Sequence, residues 1–109
     1  MTVRMISAPA AHELIWTDPD VVLVCAYELE ADYQKNILDG AISLREFRRR
    51  IDSLPKNENV VFYCNCHDDE AAMEQALEAV LRGFTNVHVL RGGVHAWTTA
   101  GYGLATAAT

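Results

Sequence analysis

The chain has 109 residues, 50% of them hydrophobic and 22% charged, which suits one globular domain over residues 1–109 and is too short for two cores. The formal net charge of -6 gives no electrostatic footprint for nucleic acid, and no apolar stretch approaches the roughly 20 residues that span a bilayer. Its three cysteines, an odd number, argue against a disulfide framework and favour a reducing, cytoplasmic location.

Strand-like and helix-like segments alternate along the chain. In chain order the pattern predicts a strand over 3–6, a helix over 9–16, a strand over 21–25, a helix over 28–36, a strand over 41–43, a helix over 44–51, a strand over 60–63, a helix over 68–82, a strand over 87–90 and a helix over 94–100. This alternation predicts a parallel α/β sheet, in which ligands bind beyond the carboxyl ends of the strands. Cys25 and Cys64 each end a predicted strand, so we expect both near that edge.

Two helical residues and three histidines have plain structural interpretations. Trp16 and Trp97 lie on apolar helical stripes, and we expect both in the core. His12, His88 and His95 have no ligand spacing between them and are expected at the surface or partly packed.

Cys64 is the first candidate for chemistry. The buried strand VVFY (60–63) stops at this cysteine, and a short polar loop leads into the predicted helix 68–82. Free backbone N–H groups and the positive end of the helix dipole favour thiolate over thiol there and can hold an anion. The alternative is that Cys64 is a small buried hydrophobe that ends a strand.

Three segments of the second half form a recognisable signature. They are VVFYC at 60–64, GFTNVHVL at 83–90, and GG at 92–93 followed by AWTTAGY at 96–102. In order, spacing and identity this half resembles a rhodanese-like (sulfurtransferase) domain.

The first half resembles the same family more loosely. Cys25, Ala26 and Tyr27 stand where the family has Asp-Val-Arg, and residues 37–42 stand where it has His-Ile-Pro-Gly-Ala. The resemblance covers nearly the whole chain and implies a single-domain form. It also implies an α/β, three-layer fold with a central, mostly parallel sheet of about five strands flanked by helices.

The resemblance implies covalent sulfur chemistry. In this family a cysteine thiolate attacks the outer sulfur of a donor, and the resulting persulfide passes that sulfur to an acceptor. Cys64 matches the catalytic nucleophile, and the loop after it matches the segment that cradles the anion. The residues of this active-site loop are Asn65, Cys66, His67, Asp68, Asp69 and Glu70.

The loop departs from the family pattern in its charge. Asp69 stands where the family commonly has arginine, and Asp68 and Glu70 flank it, so His67 is the loop's one candidate cation. A unit charge about 4 Å from a thiolate costs roughly 4 kcal/mol at an effective dielectric near 20, more than the helix dipole offers. Either these carboxylates face Cys64 and disfavour the thiosulfate dianion, or they cap the helix and point away.

Cys66 follows Cys64 after one residue and is open to two interpretations. It is either an incidental loop residue or a partner that resolves a persulfide or forms a disulfide with Cys64. Cys64, Cys66 and His67 form one tight cluster without a second ligand pair, so we expect no metal and no cofactor. Glu70 replaces the arginine of a Cys-x5-Arg phosphatase loop, which argues against phosphatase chemistry.

The hypothesis from sequence is a sulfurtransferase or sulfur carrier that works through a Cys64 persulfide. Its expected partners are a small sulfur-containing anion such as thiosulfate or a protein persulfide donor, and a thiol or sulfur-carrier acceptor. The alternative is a catalytically weak or inactive rhodanese-fold module for partner binding or redox sensing through Cys64 and Cys66.

Overall fold

Helices and parallel strands alternate along the chain. A computed structural model describes residues 2–66 and 68–105. In chain order its elements are β1 (Val3–Ile6), α1 (Ala8–Thr17), β2 (Val22–Cys25), α2 (Glu30–Gln34), α3 (Leu44–Arg50) with a following 3-10 turn (Ile51–Ser53), β3 (Asn59–Tyr63), α4 (Glu70–Leu81), β4 (Asn86–Leu90) and α5 (Gly93–Thr99). No helix within the described ranges has the length and apolar character needed to cross a membrane.

The strands form one parallel sheet in the order β1-β4-β3-β2. The α/β class with a parallel sheet is therefore confirmed, but the described residues contain four strands rather than about five. The segment 41–43, predicted to be a strand, keeps one parallel bridge between Ile42 and Val24. Gly40 turns the chain before it and Ser43 caps α3 after it, so only Ile42 has room to pair.

The two faces of the sheet carry separate cores, because successive side chains of a strand point to opposite sides. On one face Val24, Phe62 and Val89 pack against α3 and α4. On the other face Tyr63 and Leu90 pack against α1 and α5. These cores complete the three layers that the resemblance implies.

Local sequence explains where α1 and α3 begin and where α4 ends. The hydroxyls of Ser7 and Ser43 accept hydrogen bonds from Ala10 N (3.2 Å) and Glu46 N (3.0 Å) and so cap α1 and α3. Gly83 follows α4 with φ +102°, a conformation that favours glycine. Helix α4 begins at Glu70 rather than at Asp68, which leaves Asp68 in the active-site loop.

The prediction that both tryptophans lie in the core is half wrong. Trp97 is 2% exposed, whereas Trp16 is 77% exposed. Helix α1 buries Ala8 and Ala11 against the sheet, and Ile15 continues that side. Trp16 comes one residue later and is rotated away by about 100°, so it lies at the edge of this face.

His88 lies on β4 and is 7% exposed, more buried than expected. Its Nε2 lies 3.1 Å from Asn59 Oδ1, while its Nδ1 has no partner among the described residues. Burial lowers the pKa of the imidazole, and the nearby Arg4 adds to the shift. The folded state therefore holds His88 neutral at a pH where the unfolded chain already binds a proton.

We expect the free energy of unfolding to fall as pH drops below about 6.5, the usual imidazole pKa, and to go on falling until His88 protonates in the folded state. In His88→Gln this part of the pH dependence should disappear. Urea titrations of both proteins between pH 8 and pH 5 measure the difference. Parallel curves for the two proteins over that range would contradict the assignment.

Candidate active site

Cys64 directly follows β3, which lies between β2 and β4 in the sheet. The residue is 0% exposed and belongs to the same core cluster as Phe62 and Ala72. It points to the α4 side because it lies two positions after Phe62, on the same face. The predicted nucleophile is thus at the carboxyl edge of the sheet, beneath the first turns of α4.

The Gly92–Gly93 turn packs closely against the backbone of Cys64. A Cβ on Gly93 would lie 1.9 Å from the Cys64 carbonyl oxygen, and Gly93 has φ +53°. The same carbonyl accepts a hydrogen bond from Val94 N at 3.1 Å. Only glycine permits this approach, so the second glycine of the GG pair in the sequence signature has a direct steric reason.

Tyr27 and Asn36 hold the start of the loop. Asn65 N donates to the Tyr27 hydroxyl at 2.8 Å, and Asn65 Nδ2 donates to Asn36 Oδ1 at 3.1 Å. Burial raises the pKa of Tyr27, which keeps the phenol protonated. Sequence reasoning did not assign either residue to the site. The position of Tyr27, where the family has the last residue of Asp-Val-Arg, is the signal that could have found it.

A disulfide joins Cys64 and Cys66, whose Cα atoms are 5.6 Å apart. Cys66 is half-buried, whereas Cys64 is fully buried. The two sulfurs are therefore within bonding reach, as both the relay and the redox interpretations of Cys66 require. In this oxidised state neither cysteine is a nucleophile.

The acidic residues of the loop have separate positions. Asp68 is exposed, and its Oδ1 accepts from Glu70 N at 3.2 Å across the start of α4. Asp69 is 7% exposed with φ +59°, and its Oδ2 accepts from Gly92 N at 3.0 Å. Its Oδ1 is buried and has no hydrogen-bond partner within the described residues. Glu70 is the exposed first residue of α4, and His67 lies outside the described residues.

Through its hydrogen bond with Gly92 N, Asp69 thus connects the beginning of α4 to the Gly92–Gly93 turn, which packs against Cys64. The capping interpretation holds for Asp68, which accepts from the first turn. Asp69 occupies the N-cap position without making a side-chain cap bond. Its carboxyl group instead accepts from Gly92 N, and it is a buried acidic group within the candidate active-site loop.

An open cavity of about 380 Å³ lies beside the disulfide and is lined by Asn65, Cys66, Gly92 and His95. A second cavity of about 440 Å³ shares Gly92 and His95 and is also lined by Arg91. His95 and Arg91 are basic residues near the site that sequence reasoning did not assign to it. Arg91 directly precedes Gly92–Gly93, the pair in the family signature, and His95 follows that pair after one residue; these positions are the signal that was available.

Cys25 does not join the site. It ends β2 opposite Tyr63 in the register, and it packs in the core on the α1 and α5 side of the sheet. Burial raises the pKa of this thiol and keeps it neutral. Within residues 2–66 and 68–105, no group of His, Cys, Asp and Glu side chains is arranged to hold a metal ion.

Comparison with known proteins supports the same assignment of fold. The model of the rhodanese-like domain family matches residues 7–100. No curated protein matches the chain significantly.

Solved structures share this fold at low sequence identity. The rhodanese-like domain of the Alr3790 protein from Anabaena sp. has a TM-score of 0.78 at 22% identity, with 100% of this chain and 85% of that chain covered. A thiosulfate sulfurtransferase from Pseudomonas aeruginosa has a TM-score of 0.77 at 20% identity, with 94% of this chain and 20% of that chain covered. A protein of unknown function from Rhodopseudomonas palustris, titled a possible tyrosine phosphatase, has a TM-score of 0.73 at 21% identity, with coverages of 94% and 84%.

The contact between Gly93 and Cys64 can be tested with a matched pair of variants. Gly93→Ala and Gly101→Ala both place alanine at a positive φ, but a Cβ on Gly101 meets nothing within 4 Å. The conformational cost is about 1–2 kcal/mol at Gly93, whose φ of +53° lies in the left-handed region, and is no smaller at Gly101, whose φ is +93°. We expect Gly93→Ala to lower the free energy of unfolding by at least about 2 kcal/mol more than Gly101→Ala, because it also displaces the Cys64 carbonyl. Equal losses in urea denaturation would contradict this.

Proposed function

The chain belongs to the rhodanese-like domain family, and on that premise we propose that it transfers sulfane sulfur through a persulfide on Cys64. The observation that carries the proposal is the position of Cys64 at the carboxyl end of a middle strand, followed by a loop and the N-terminus of α4. Backbone N–H groups and the dipole of α4 favour a thiolate there once the disulfide is reduced. A sulfurtransferase-family role for the chain is supported by the family match, and the substrates and the mechanism are our proposal.

The proposed cycle has two displacements. The reduced Cys64 thiolate attacks the outer sulfur of the donor, the donor's S–S bond breaks, and its electron pair leaves with the donor remnant. An acceptor thiolate then attacks the outer sulfur of the persulfide and restores the Cys64 thiolate. Cys64 begins and ends each cycle reduced, so the Cys64–Cys66 disulfide is a resting or inhibited state of this chemistry.

The charges around the loop favour a persulfide donor over thiosulfate. The buried carboxylate of Asp69 replaces the family's arginine and repels a dianion. His95 and Arg91 line the adjoining cavities, where a singly charged or neutral donor can enter. We therefore propose a protein or small-molecule persulfide as donor and a thiol or sulfur carrier as acceptor, in a cytoplasmic setting.

A second candidate function is favoured by the disulfide itself. The bond between Cys64 and Cys66 is what a redox-sensing module would form on oxidation. In that case the domain would keep the fold, recognise a partner and carry no sulfur. Persulfide formation on Cys64 separates the two candidates.

We expect the reduced wild-type protein to gain the mass of one sulfur atom when it is exposed to a cysteine persulfide donor. Intact-mass spectrometry measures the gain, with Cys64→Ser and Cys66→Ser treated alongside. The gain should vanish in Cys64→Ser and persist in Cys66→Ser, because the nucleophile is Cys64. Loss in both variants would indicate a relay through both cysteines. No gain from either this donor or thiosulfate, in folded and reduced protein, would leave the redox or binding module.

The effect of the buried charge can be measured with Asp69→Asn. Asparagine keeps an oxygen that accepts from Gly92 N and tolerates a positive φ, but it removes the negative charge. We expect the rate of Cys64 persulfidation by thiosulfate to rise about fivefold or more, the factor for roughly 1 kcal/mol of repulsion. Asp68→Asn is the control, since the Asp68 carboxylate is exposed and screened by solvent. An unchanged or lower rate in Asp69→Asn, at unchanged stability, would contradict the assignment.

A further inference from the structure

The two sulfurs of the disulfide differ in their access to solvent. Cys64 is 0% exposed and packs beneath α4, while Cys66 is half-buried and lines the cavity of about 380 Å³. A thiolate that opens a disulfide must reach one of the two sulfurs, and the sulfur that it reaches decides which cysteine leaves. The approach through the cavity leads to Cys66.

The cavities beside Cys66 are lined in part by the basic residues His95 and Arg91. The second cavity, of about 440 Å³, continues from Gly92 and His95 to Arg91 and the first turn of α1. Arg91 takes part in none of the ion pairs found among the described residues. The loop's carboxylates are held elsewhere, with Asp68 on Glu70 N and Asp69 on Gly92 N. Arg91, which lines the second cavity, is therefore available to a carboxylate of a bound molecule.

We propose that the Cys64–Cys66 disulfide is opened at Cys66 by a small thiol that carries a carboxylate, bound in the groove beside His95 and Arg91. Cys66 is half-buried in the first cavity, where a small thiol can enter more readily than a folded domain. This inference rests on the disulfide and the groove, and it does not require that the chain transfers sulfur.

Two molecules of the thiol complete the exchange, and no other oxidant or reductant is needed. The thiolate attacks Cys66 Sγ, a new S–S bond forms between the thiol and Cys66, and the bond to Cys64 breaks with its electron pair on Cys64 Sγ. A second molecule of the thiol then attacks the mixed disulfide, which yields the oxidised thiol dimer and a Cys66 thiolate. The helix dipole of α4 stabilises the departing Cys64 thiolate, and a stabilised thiolate leaves faster.

The first arm of the test locates the mixed disulfide. The oxidised protein is mixed briefly with glutathione, quenched with acid, unfolded in denaturant that contains an alkylating reagent, and analysed by fragment-ion mass spectrometry. We expect glutathione on Cys66 and the alkyl group on Cys64. The free cysteine Cys25 is the internal control, since it should be alkylated in every unfolded sample. Glutathione on Cys64, or oxidised protein in which both cysteines alkylate without a thiol, would overturn the proposal.

The second arm tests the carboxylate. Arg91→Gln should slow disulfide opening by glutathione by about threefold or more, the size expected for one exposed charge pair, and should leave opening by neutral 2-mercaptoethanol unchanged. Arg45→Gln, an equal change of net charge on α3, is the matched control and should alter neither rate. Equal slowing with both thiols would overturn carboxylate recognition. Opening by a dithiol reductase protein much faster than by glutathione would assign the groove to a protein partner and overturn the small-thiol proposal.

Discussion

The contact between Gly93 and the carbonyl oxygen of Cys64 is the constraint on which the site depends. A Cβ at Gly93 would overlap that oxygen at 1.9 Å, and Val94 N bonds to it at 3.1 Å. This contact sets the start of α5 directly against the end of β3, and so brings His95 to the cavity that Cys66 lines. Asp69 fixes the same turn from the side of α4 through Gly92 N. The cysteine loop is therefore held between two helices, and its chemistry follows from what each helix supplies.

The charge distribution of the loop differs from the family pattern. Asp69 stands where the family commonly has an arginine, and it is buried with one oxygen bonded to Gly92 N and the other unpaired within the described residues. A cation at that position would attract a donor anion from inside the loop. Here the basic residues His95 and Arg91 lie outside the loop, around the cavities. For the sulfur transfer that we propose, a basic group would therefore act on the body of a bound molecule rather than on its reacting sulfur.

Much of this arrangement could be predicted from the sequence, because it depends on local pattern. Alternating apolar periods located the strands and helices, and the run VVFYC placed Cys64 at a strand end. Side-chain directions depend on tertiary contacts instead. Whether Asp69 faced the loop or solvent was decided by Gly92 N, more than twenty positions away, and the exposure of Trp16 was decided by which side of α1 meets the sheet. The expected fifth strand is a single bridge because Gly40 forms a turn before Ile42 and Ser43 caps α3 after it.

The positions of Cys64 and Cys66 connect the two chemistries proposed for the loop. A persulfide on Cys64 and a disulfide to Cys66 use the same sulfur atom, so each excludes the other at any moment. Cys64 is buried when the disulfide is present, and a sulfur donor cannot reach it in that state. In the opening that we propose, a thiol enters through the groove beside His95 and Arg91 and frees Cys64 by attack at Cys66. On that proposal the reducing thiol decides when the proposed nucleophile is available, whichever donor later supplies the sulfur.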